Sequence, residues 1–217
     1  MALNRSVRIL NEIEKLYPNA ETELNFSNLY ELTIAVILSA QSTDISVNKV
    51  TGDLFAKYSD VETLAKADVK DVEKHLNTIG LYRSKAKNII AFANQVIDNF
   101  DGKIPDNVED LITLSGIGRK TANVVVSEHF KIPAIAVDTH VERVSKRLKI
   151  VRESYNVVET EKRLMRAFPK ERWSQAHHSL ILFGRYTCKA IKPNCKTCPL
   201  QSECKYFTKH KAEILKD

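Results

Sequence analysis

Apolar residues recur every three or four positions through most of this chain, a spacing that predicts amphipathic α-helices. The segments with this period are 3–13, 47–58, 61–65, 69–79, 84–100, 138–148, 157–168 and 173–188. Residues 29–38 are apolar at nearly every position, which predicts a central helix that is buried on all sides. No long run alternates with a period of two, and residues 134–137 are too few to count as a strand. The pattern therefore predicts an all-α fold.

Capping and breaking residues predict where the first helices begin and end. Leu3 begins the apolar face of the first helix, and Pro18 ends that helix because proline cannot continue it. Ser27 is placed to cap the buried helix that follows. That helix stops at the polar cluster 39–44, which comes directly after the most hydrophobic segment of the chain.

A glycine-containing turn, Leu114-Ser-Gly-Ile-Gly-Arg-Lys120, joins two of the predicted helices. Asp106, with Glu109 three residues later, predicts a capping box that opens the first and shorter helix. Gly116 and Gly118 permit a tight turn that residues with a Cβ would resist. The second helix then begins with free N–H groups, and these donors and the helix dipole favour an anion such as a phosphate.

Lys120 lies in the first turn of that second helix, where the helix dipole disfavours a positive charge. The two glycines alone would be explained by an ordinary αα-hairpin, because short glycine patterns often match by chance. A lysine placed where its amine is kept neutral is instead suited to attack an electrophile. Lys120 is therefore a candidate nucleophile.

Composition and charge restrict the classes of function. The 217 residues are 43% hydrophobic and 28% charged, as in a globular protein, and no apolar run approaches the ~20 residues of a membrane span. The first residues lack the apolar core of a signal peptide, which predicts a cytosolic protein. Residues 185–217 hold eight Lys or Arg against three acids, most of the net charge of +6. This surplus predicts a polyanionic partner, and nucleic acid is the leading candidate. The alternative is that the basic segment has no such partner and is simply a solvated tail.

The four cysteines lie in one stretch, as Cys188, Cys195, Cys198 and Cys204. Such crowding without a secretion signal predicts a metal site rather than disulfides. Structural zinc usually uses two short Cys-x2–4-Cys pairs and only one is present, so the spacing favours a [4Fe–4S] cluster and leaves zinc open. The loop between the first two cysteines carries Lys189 and Lys192, which a metal would hold in place to meet phosphates.

Taken in order, these motifs resemble the endonuclease III family of the helix-hairpin-helix superfamily. The resemblance runs nearly end to end and includes 38–44, 79–82, the hairpin, Val137-Asp-Thr-His-Val141 and the four cysteines. It implies a six-helix barrel domain at about 23–132, with the helix-hairpin-helix motif at about 106–130. Residues 1–22 and 133–217 would form a second helical domain with the [4Fe–4S] cluster, and DNA would lie across both domains of a monomer.

The resemblance also implies individual functions for residues. Lys120 would attack the sugar, and Asp138 would accept its proton and stabilise positive charge, although an Asp at that position is also an ordinary helix cap. Gln41 and Leu81 would fill the gap left by a displaced base; without the resemblance, a polar helix stop and a core anchor would explain them. Contacts with the DNA backbone would come from Gly116, Ile117, Gly118, Lys189 and Lys192.

The resemblance implies a bifunctional enzyme that removes oxidised pyrimidines from double-stranded DNA and cleaves the strand at the abasic site. One alternative is a mismatch-specific glycosylase of the same superfamily, which usually lacks the hairpin lysine. A second alternative is a non-catalytic DNA-binding protein whose metal braces a basic loop. A third is an electron carrier, which would need no glycine hairpin.

Overall fold

The computed structural model describes residues 4–216, and every regular element within them is a helix. The α-helices are α1 (Arg5–Leu16), α2 (Leu29–Leu38), α3 (Asp44–Lys57), α4 (Val61–Ala65), α5 (Val69–Leu76), α6 (Tyr82–Phe100), α7 (Val108–Leu111), α8 (Arg119–Glu128), α9 (Thr139–Arg147), α10 (Val157–Ala167), α11 (Trp173–Leu182) and α12 (Lys205–Ile214). Short 3-10 turns span Lys170–Arg172 and Gln201–Glu203, and a π-helical turn spans Phe183–Thr187. The all-α prediction is confirmed, while Leu3 lies outside the described residues.

Contacts within the chain group it into two compact units. One unit is Glu23–Ile132, which contains α2 to α8. The other combines Met1–Thr22 with Pro133–Asp217 and contains α1 and α9 to α12. None of the helices formed by residues 4–216 has the length and apolar character needed to cross a bilayer.

Helix α2 is the centre of the unit Glu23–Ile132. Eight of its ten residues are buried, and it packs against α3, α6 and α8. The long helix α6 packs in turn against α4 and α5. The apolar run at 29–38 therefore forms the buried central helix that its composition predicts.

The second unit has a separate hydrophobic core, to which α1, α9, α10 and α11 contribute. Ile9, Leu10 and Ile13 of α1 are at most 1% exposed and belong to the same cluster as Val141, Leu164 and Leu180. Residues 134–137 are buried without forming a strand. Two cysteines, Cys195 and Cys204, also belong to this core, so the cysteine loop is packed against it.

Two predicted helix caps are wrong by one residue. Asn28, not Ser27, caps α2 by accepting from Glu31 N at 2.9 Å, while Ser27 donates to the Glu31 carboxylate. Asn107, not Asp106, caps α7 by accepting from Asp110 N at 2.8 Å. In both cases two adjacent polar residues compete for the cap, and asparagine is as good a cap as serine or aspartate.

Helix α12 has no counterpart among the predicted helices. Phe207 is its one buried residue, so its sequence carries little apolar period. Its first turn is stabilised by Cys204, whose Sγ accepts from Phe207 N at 3.4 Å. The Arg147 guanidinium lies 3.9 Å from the centre of the Tyr206 ring. The contact with Arg147 comes from a distant part of the chain, which a local pattern does not contain.

Candidate active site and cysteine loop

The turn between α7 and α8 is built around Gly116. This residue has a φ of +79°, a conformation that side chains with a Cβ rarely adopt. A Cβ there would lie 2.9 Å from Ile37 Cγ2 and 3.2 Å from Asn88 Cβ. Ile117 donates its N–H to Leu114 O at 3.1 Å, and its side chain is buried. The turn therefore packs closely on the rest of its unit.

Gly118 differs from Gly116, because nothing inside the protein requires a glycine there. Its φ of −94° and ψ of 174° are ordinary extended values, and an added Cβ would meet no atom within 4 Å. It is the N-cap of α8, and no side chain caps this helix. The first N–H groups of α8 therefore begin at an exposed glycine that leaves room for another molecule.

Lys120 is the second residue of α8, and its side chain is exposed. The position therefore presents the lysine outward, beside the uncapped N–H groups.

Gln41 and Leu81 share an unusual backbone conformation in the unit Glu23–Ile132. Their φ values are 55° and 58°, in the left-handed region that favours glycine, and both residues are exposed. Gln41 lies just after α2, and Leu81 immediately precedes α6. Non-glycine residues held in this region cost about 1–3 kcal/mol each and occur often at functional sites. Both residues thus lie at exposed, strained ends of buried helices.

Asp138 lies in the other unit, where it is the N-cap of α9. Its Oδ1 accepts a hydrogen bond from Val141 N at 2.8 Å, and the residue is half-buried. The predicted cap is therefore present. One carboxylate oxygen is held by the helix, so the orientation of the other is also restricted.

His140, in the first turn of α9, is packed against Gly184. A Cβ on Gly184 would lie 2.8 Å from His140 Cβ, so a glycine is needed for this approach. Burial lowers the pKa of His140, and the nearby Asp138 carboxylate opposes that effect. His140 Nδ1 lies 3.1 Å from Arg143 Nη2. These contacts pack His140 against the π-helical turn, which accounts for the residue without a chemical function.

The four cysteines line one cavity. The remaining lining is mostly apolar and includes Leu148, Phe183, Pro193 and Phe207. Among residues 4–216, no three His, Cys, Asp or Glu side chains are arranged around a single metal ion. The shared cavity is therefore the feature that a cysteine-bound group would fill.

The cavity contains donors suited to cysteine sulfur. Burial raises the pKa of the Cys188, Cys195 and Cys198 thiols, so a neighbouring positive charge is needed to favour their thiolates. Arg147 supplies one, because its Nη1 donates to Cys188 Sγ at 3.3 Å. Backbone N–H donation from Phe207 to Cys204 Sγ adds a second favourable contact.

Two arginines of α9, four residues apart, hold the cysteine loop in place. Arg143 donates to Cys188 O at 3.1 Å and to Gly184 O at 2.8 Å. Arg147 donates to Lys189 O at 2.8 Å and to Ala190 O at 3.3 Å. Neither arginine belongs to a motif that is visible in the sequence, although their i, i+4 spacing places them on one face of α9.

The loop held in this way presents the two predicted lysines to solvent. Lys189 and Lys192 are both exposed, and between them Ile191 is 82% exposed. Lys192 has a φ of 49°, so the loop turns sharply at this residue. The arrangement offers two cations and an apolar side chain on a loop whose backbone is fixed at its start.

Comparisons with known proteins relate the whole chain to one family. Residues 34–170 match the family described as HhH-GPD superfamily base excision DNA repair protein. The chain is 53% identical over 196 residues to endonuclease III of Bacillus subtilis (strain 168), covering 90% of each protein. It is 42% identical to endonuclease III of Escherichia coli (strain K12) over 97% of this chain and 98% of that one. It also matches the structure of a trapped endonuclease III–DNA covalent intermediate, with a TM-score of 0.93, 48% identity and coverage of 97% of this chain and all of that one.

Proposed function

The chain belongs to the endonuclease III family of helix-hairpin-helix DNA repair proteins, and we propose that it acts on oxidised pyrimidines through Lys120. It is a bifunctional DNA glycosylase and abasic-site lyase of base excision repair. The observation that carries the assignment of the nucleophile is the exposed Lys120 at the uncapped start of α8. A lysine amine explains both reactions, whereas an enzyme that activates water would only remove the base.

In the first step, the neutral Lys120 amine attacks C1′ of the damaged nucleotide. The bond between C1′ and the base breaks, and the base leaves with a proton. Asp138 takes one proton from the attached amine, and the sugar ring opens between C1′ and O4′ with a proton taken up by O4′, so the second amine proton remains on a protonated Schiff base between Nζ and C1′.

In the second step, the Schiff base makes the proton on C2′ acidic. Removal of that proton forms a double bond between C2′ and C3′ and expels the 3′ phosphate, so the strand breaks on the 3′ side of the lesion. Water then hydrolyses the Schiff base and releases Lys120. The lyase reaction therefore follows directly from the covalent intermediate of the first step.

Asp138 is the carboxylate assigned to proton transfer and charge stabilisation. It accepts the proton that the lysine amine loses, and it stabilises positive charge that develops on the sugar. The hydrogen bond from Val141 N holds the side chain in one orientation. The cap of α9 and the catalytic carboxylate are thus one group.

Gln41 and Leu81 are assigned to the DNA gap. A damaged base within a duplex must be turned out of the stack before Lys120 can reach its sugar, at a cost of a few kcal/mol. Side chains that occupy the vacated space offset this cost. Exposed residues with a fixed backbone, such as Gln41 and Leu81, are suited to that insertion.

Gly116, Ile117 and Gly118 are assigned to a phosphate of the DNA backbone. The N–H groups at the start of α8, which no side chain caps, provide donors, and the bare surface of Gly118 lets the phosphate approach them. Lys189 and Lys192 of the cysteine loop would neutralise further phosphates. DNA would span two domains. One is the unit Glu23–Ile132, and the other is the unit that combines Met1–Thr22 with Pro133–Asp217.

The two hairpin glycines should respond differently to alanine. Gly116→Ala should lower the free energy of unfolding by about 1–3 kcal/mol, because the Cβ meets a positive φ and a close contact. Gly118→Ala should change it by less than about 1 kcal/mol yet weaken duplex binding at least tenfold, since a lost charge-assisted hydrogen bond costs about 1.5–3 kcal/mol. Denaturant melts and fluorescence-anisotropy titrations measure the two effects, and unchanged binding by Gly118→Ala would contradict the phosphate assignment.

We assign a [4Fe–4S] cluster to Cys188, Cys195, Cys198 and Cys204. The support is their shared cavity, the N–H donors to two of the sulfurs and the family to which the chain belongs. When bound, such a cluster would brace the loop that carries Lys189 and Lys192. This is a structural function, and no step of the reaction passes through the cluster.

Elemental analysis of the purified protein tests the assignment of the cluster. We expect about four iron and four sulfide per chain, with the visible absorbance of a cluster, and Cys195→Ser should lower the iron content. One zinc per chain, without sulfide, would show that the four cysteines hold a structural zinc ion and not an iron–sulfur cluster. The result does not depend on whether the enzyme is active.

Borohydride trapping on a duplex with one thymine glycol tests the proposed function. We expect a covalent protein–DNA adduct with this duplex and none with an undamaged one, because borohydride reduces the Schiff base to a stable amine. A duplex with a mismatched thymine is the control for the mismatch-specific alternative. Base release without an adduct would mean a glycosylase that uses water, and duplex binding without base release would favour the non-catalytic protein.

The place of action and the oligomeric state follow from the same proposal. DNA of the bacterial chromosome is the substrate, so the protein would act in the cytoplasm, associated with the nucleoid. Each chain carries the nucleophile, the carboxylate and the insertion residues, so a monomer would suffice. Sedimentation analysis of the complex with a short duplex measures this stoichiometry.

A further inference from the structure

Lys85 is buried, although lysine is among the residues least often found inside proteins. It lies in the first turn of α6 and is only 4% exposed. Its Nζ donates to Ser42 Oγ at 2.7 Å. Within residues 4–216, the ammonium has no carboxylate partner, and burial lowers the pKa of Lys85.

This position does not favour a lysine for stability. Burying a cation is costly unless an anion compensates, and the single partner here is a neutral hydroxyl. The N-terminal end of α6 adds a partial positive charge of its own. A methionine of similar length would fill the space without either cost, so the ammonium needs another explanation.

The surroundings of Lys85 suggest that explanation, because both predicted insertion residues adjoin it. Its backbone N–H donates to Leu81 O at 3.0 Å, and its side chain reaches Ser42, the residue after Gln41. The two loops also meet through their backbones, since a Cβ on Gly80 would lie 3.6 Å from Gln41 O. One residue is therefore bonded to both of the strained segments.

We infer that Lys85 is a positioning residue, which joins the segment of Gln41 to the start of α6 so that Gln41 and Leu81 enter the duplex together. This inference rests on the proposed function, in which these two residues fill the gap left by the displaced base. Lys85 itself is too buried to touch DNA. It acts by keeping two segments 43 residues apart in one arrangement.

The bond between Lys85 and Ser42 fits this purpose. In a weakly polar environment, a charged donor makes a stronger hydrogen bond than a neutral one, and the bond resists separation of the two segments. The insertion step needs such resistance, because a stacked duplex opposes both side chains at once. If the segments moved independently, Gln41 and Leu81 would each have to be ordered at the moment of binding.

The test compares two reactions of Lys85→Met. Single-turnover release of thymine glycol from a duplex should fall by about 10²-fold, the effect of a misplacement of about 1 Å. Strand cleavage at an abasic site in a single strand requires no base to be displaced and should remain at the wild-type rate. A 2-aminopurine opposite the lesion reports insertion directly, and its fluorescence rise on binding should be lost in the variant.

Lys87→Met is the matched control. Lys87 is an exposed lysine of the same helix, two residues further on, so its replacement removes the same charge without the buried bond. It should behave as wild type in both reactions. Equal loss of duplex activity in both variants would mean that charge alone is responsible and would overturn the inference.

Ser42→Ala keeps the test decisive if Lys85→Met fails to fold. This variant retains the lysine and removes only its acceptor at a half-buried position. It should show the same selective loss of duplex excision and of the 2-aminopurine signal, and wild-type behaviour of this variant would overturn the inference. Failure of the wild-type protein to release thymine glycol in the same assay would instead reject the proposed function.

Discussion

Lys120→Gln should abolish strand cleavage and the borohydride-trapped adduct while duplex binding is retained. The amide of glutamine cannot form a Schiff base, so neither the covalent intermediate nor the β-elimination that depends on it can occur. Removing a covalent nucleophile costs up to about 10⁶-fold in rate, which would place the variant below detection. Lys120 is exposed at the start of α8, so the substitution should leave the fold intact.

The control for this experiment is Lys131→Gln. Lys131 is also exposed and lies just beyond the other end of α8, so the variant loses the same charge away from the hairpin. It should form the adduct at the wild-type rate. Cleavage by Lys120→Gln at a rate near that of Lys131→Gln would disprove the assignment of the nucleophile.

Asp138→Asn should slow base excision by about 10²–10⁴-fold, the usual contribution of a general base. The free energy of unfolding should change by no more than a few tenths of a kcal/mol, because asparagine caps helices as well as aspartate does. The side chain would still accept from Val141 N. Single-turnover kinetics and denaturant melts of the same preparation measure both quantities.

Asp138→Ala separates the two functions of this residue. Alanine removes the carboxylate and the cap together, so it should add a loss of about 1 kcal/mol in stability to the slower reaction. If Asp138→Asn were as active as wild type and only Asp138→Ala were impaired, the cap of α9 would be the main function of Asp138.

Local patterns were enough for most helices of this protein. The apolar period identified α1, α3, α6 and α10, and the continuous apolar run identified α2. A helix buried on one face has apolar residues every three or four positions, and a helix buried on all faces has them at nearly every position. The predicted N-caps of α2 and α7 were wrong by one position, because two adjacent polar residues could each have capped the helix. The missed helix α12 shows the limit, since one buried residue leaves no period to detect.

The hairpin shows how local and distant information combine. Its glycines and the following lysine are visible in a short window of sequence, so the turn and a candidate nucleophile could be predicted. From the sequence, Gly116 and Gly118 are equally good candidates for the tight turn. In the structure, only Gly116 has a left-handed backbone and a crowded Cβ position. The difference comes from Ile37 and Asn88, which approach the turn from other helices.

By itself, then, the sequence determined the all-α class, the hairpin with Lys120, the capping Asp138 and the clustered cysteines. Each of these depends on residues close together in the chain, where backbone propensity, capping and ligand spacing act. Only the tertiary structure decided that Arg147 reaches Cys188 Sγ, that Ile37 and Asn88 crowd the Cβ position of Gly116 but not that of Gly118, and that Lys85 reaches Ser42. Those contacts join segments separated by tens of residues, and they form because packing brings the segments together.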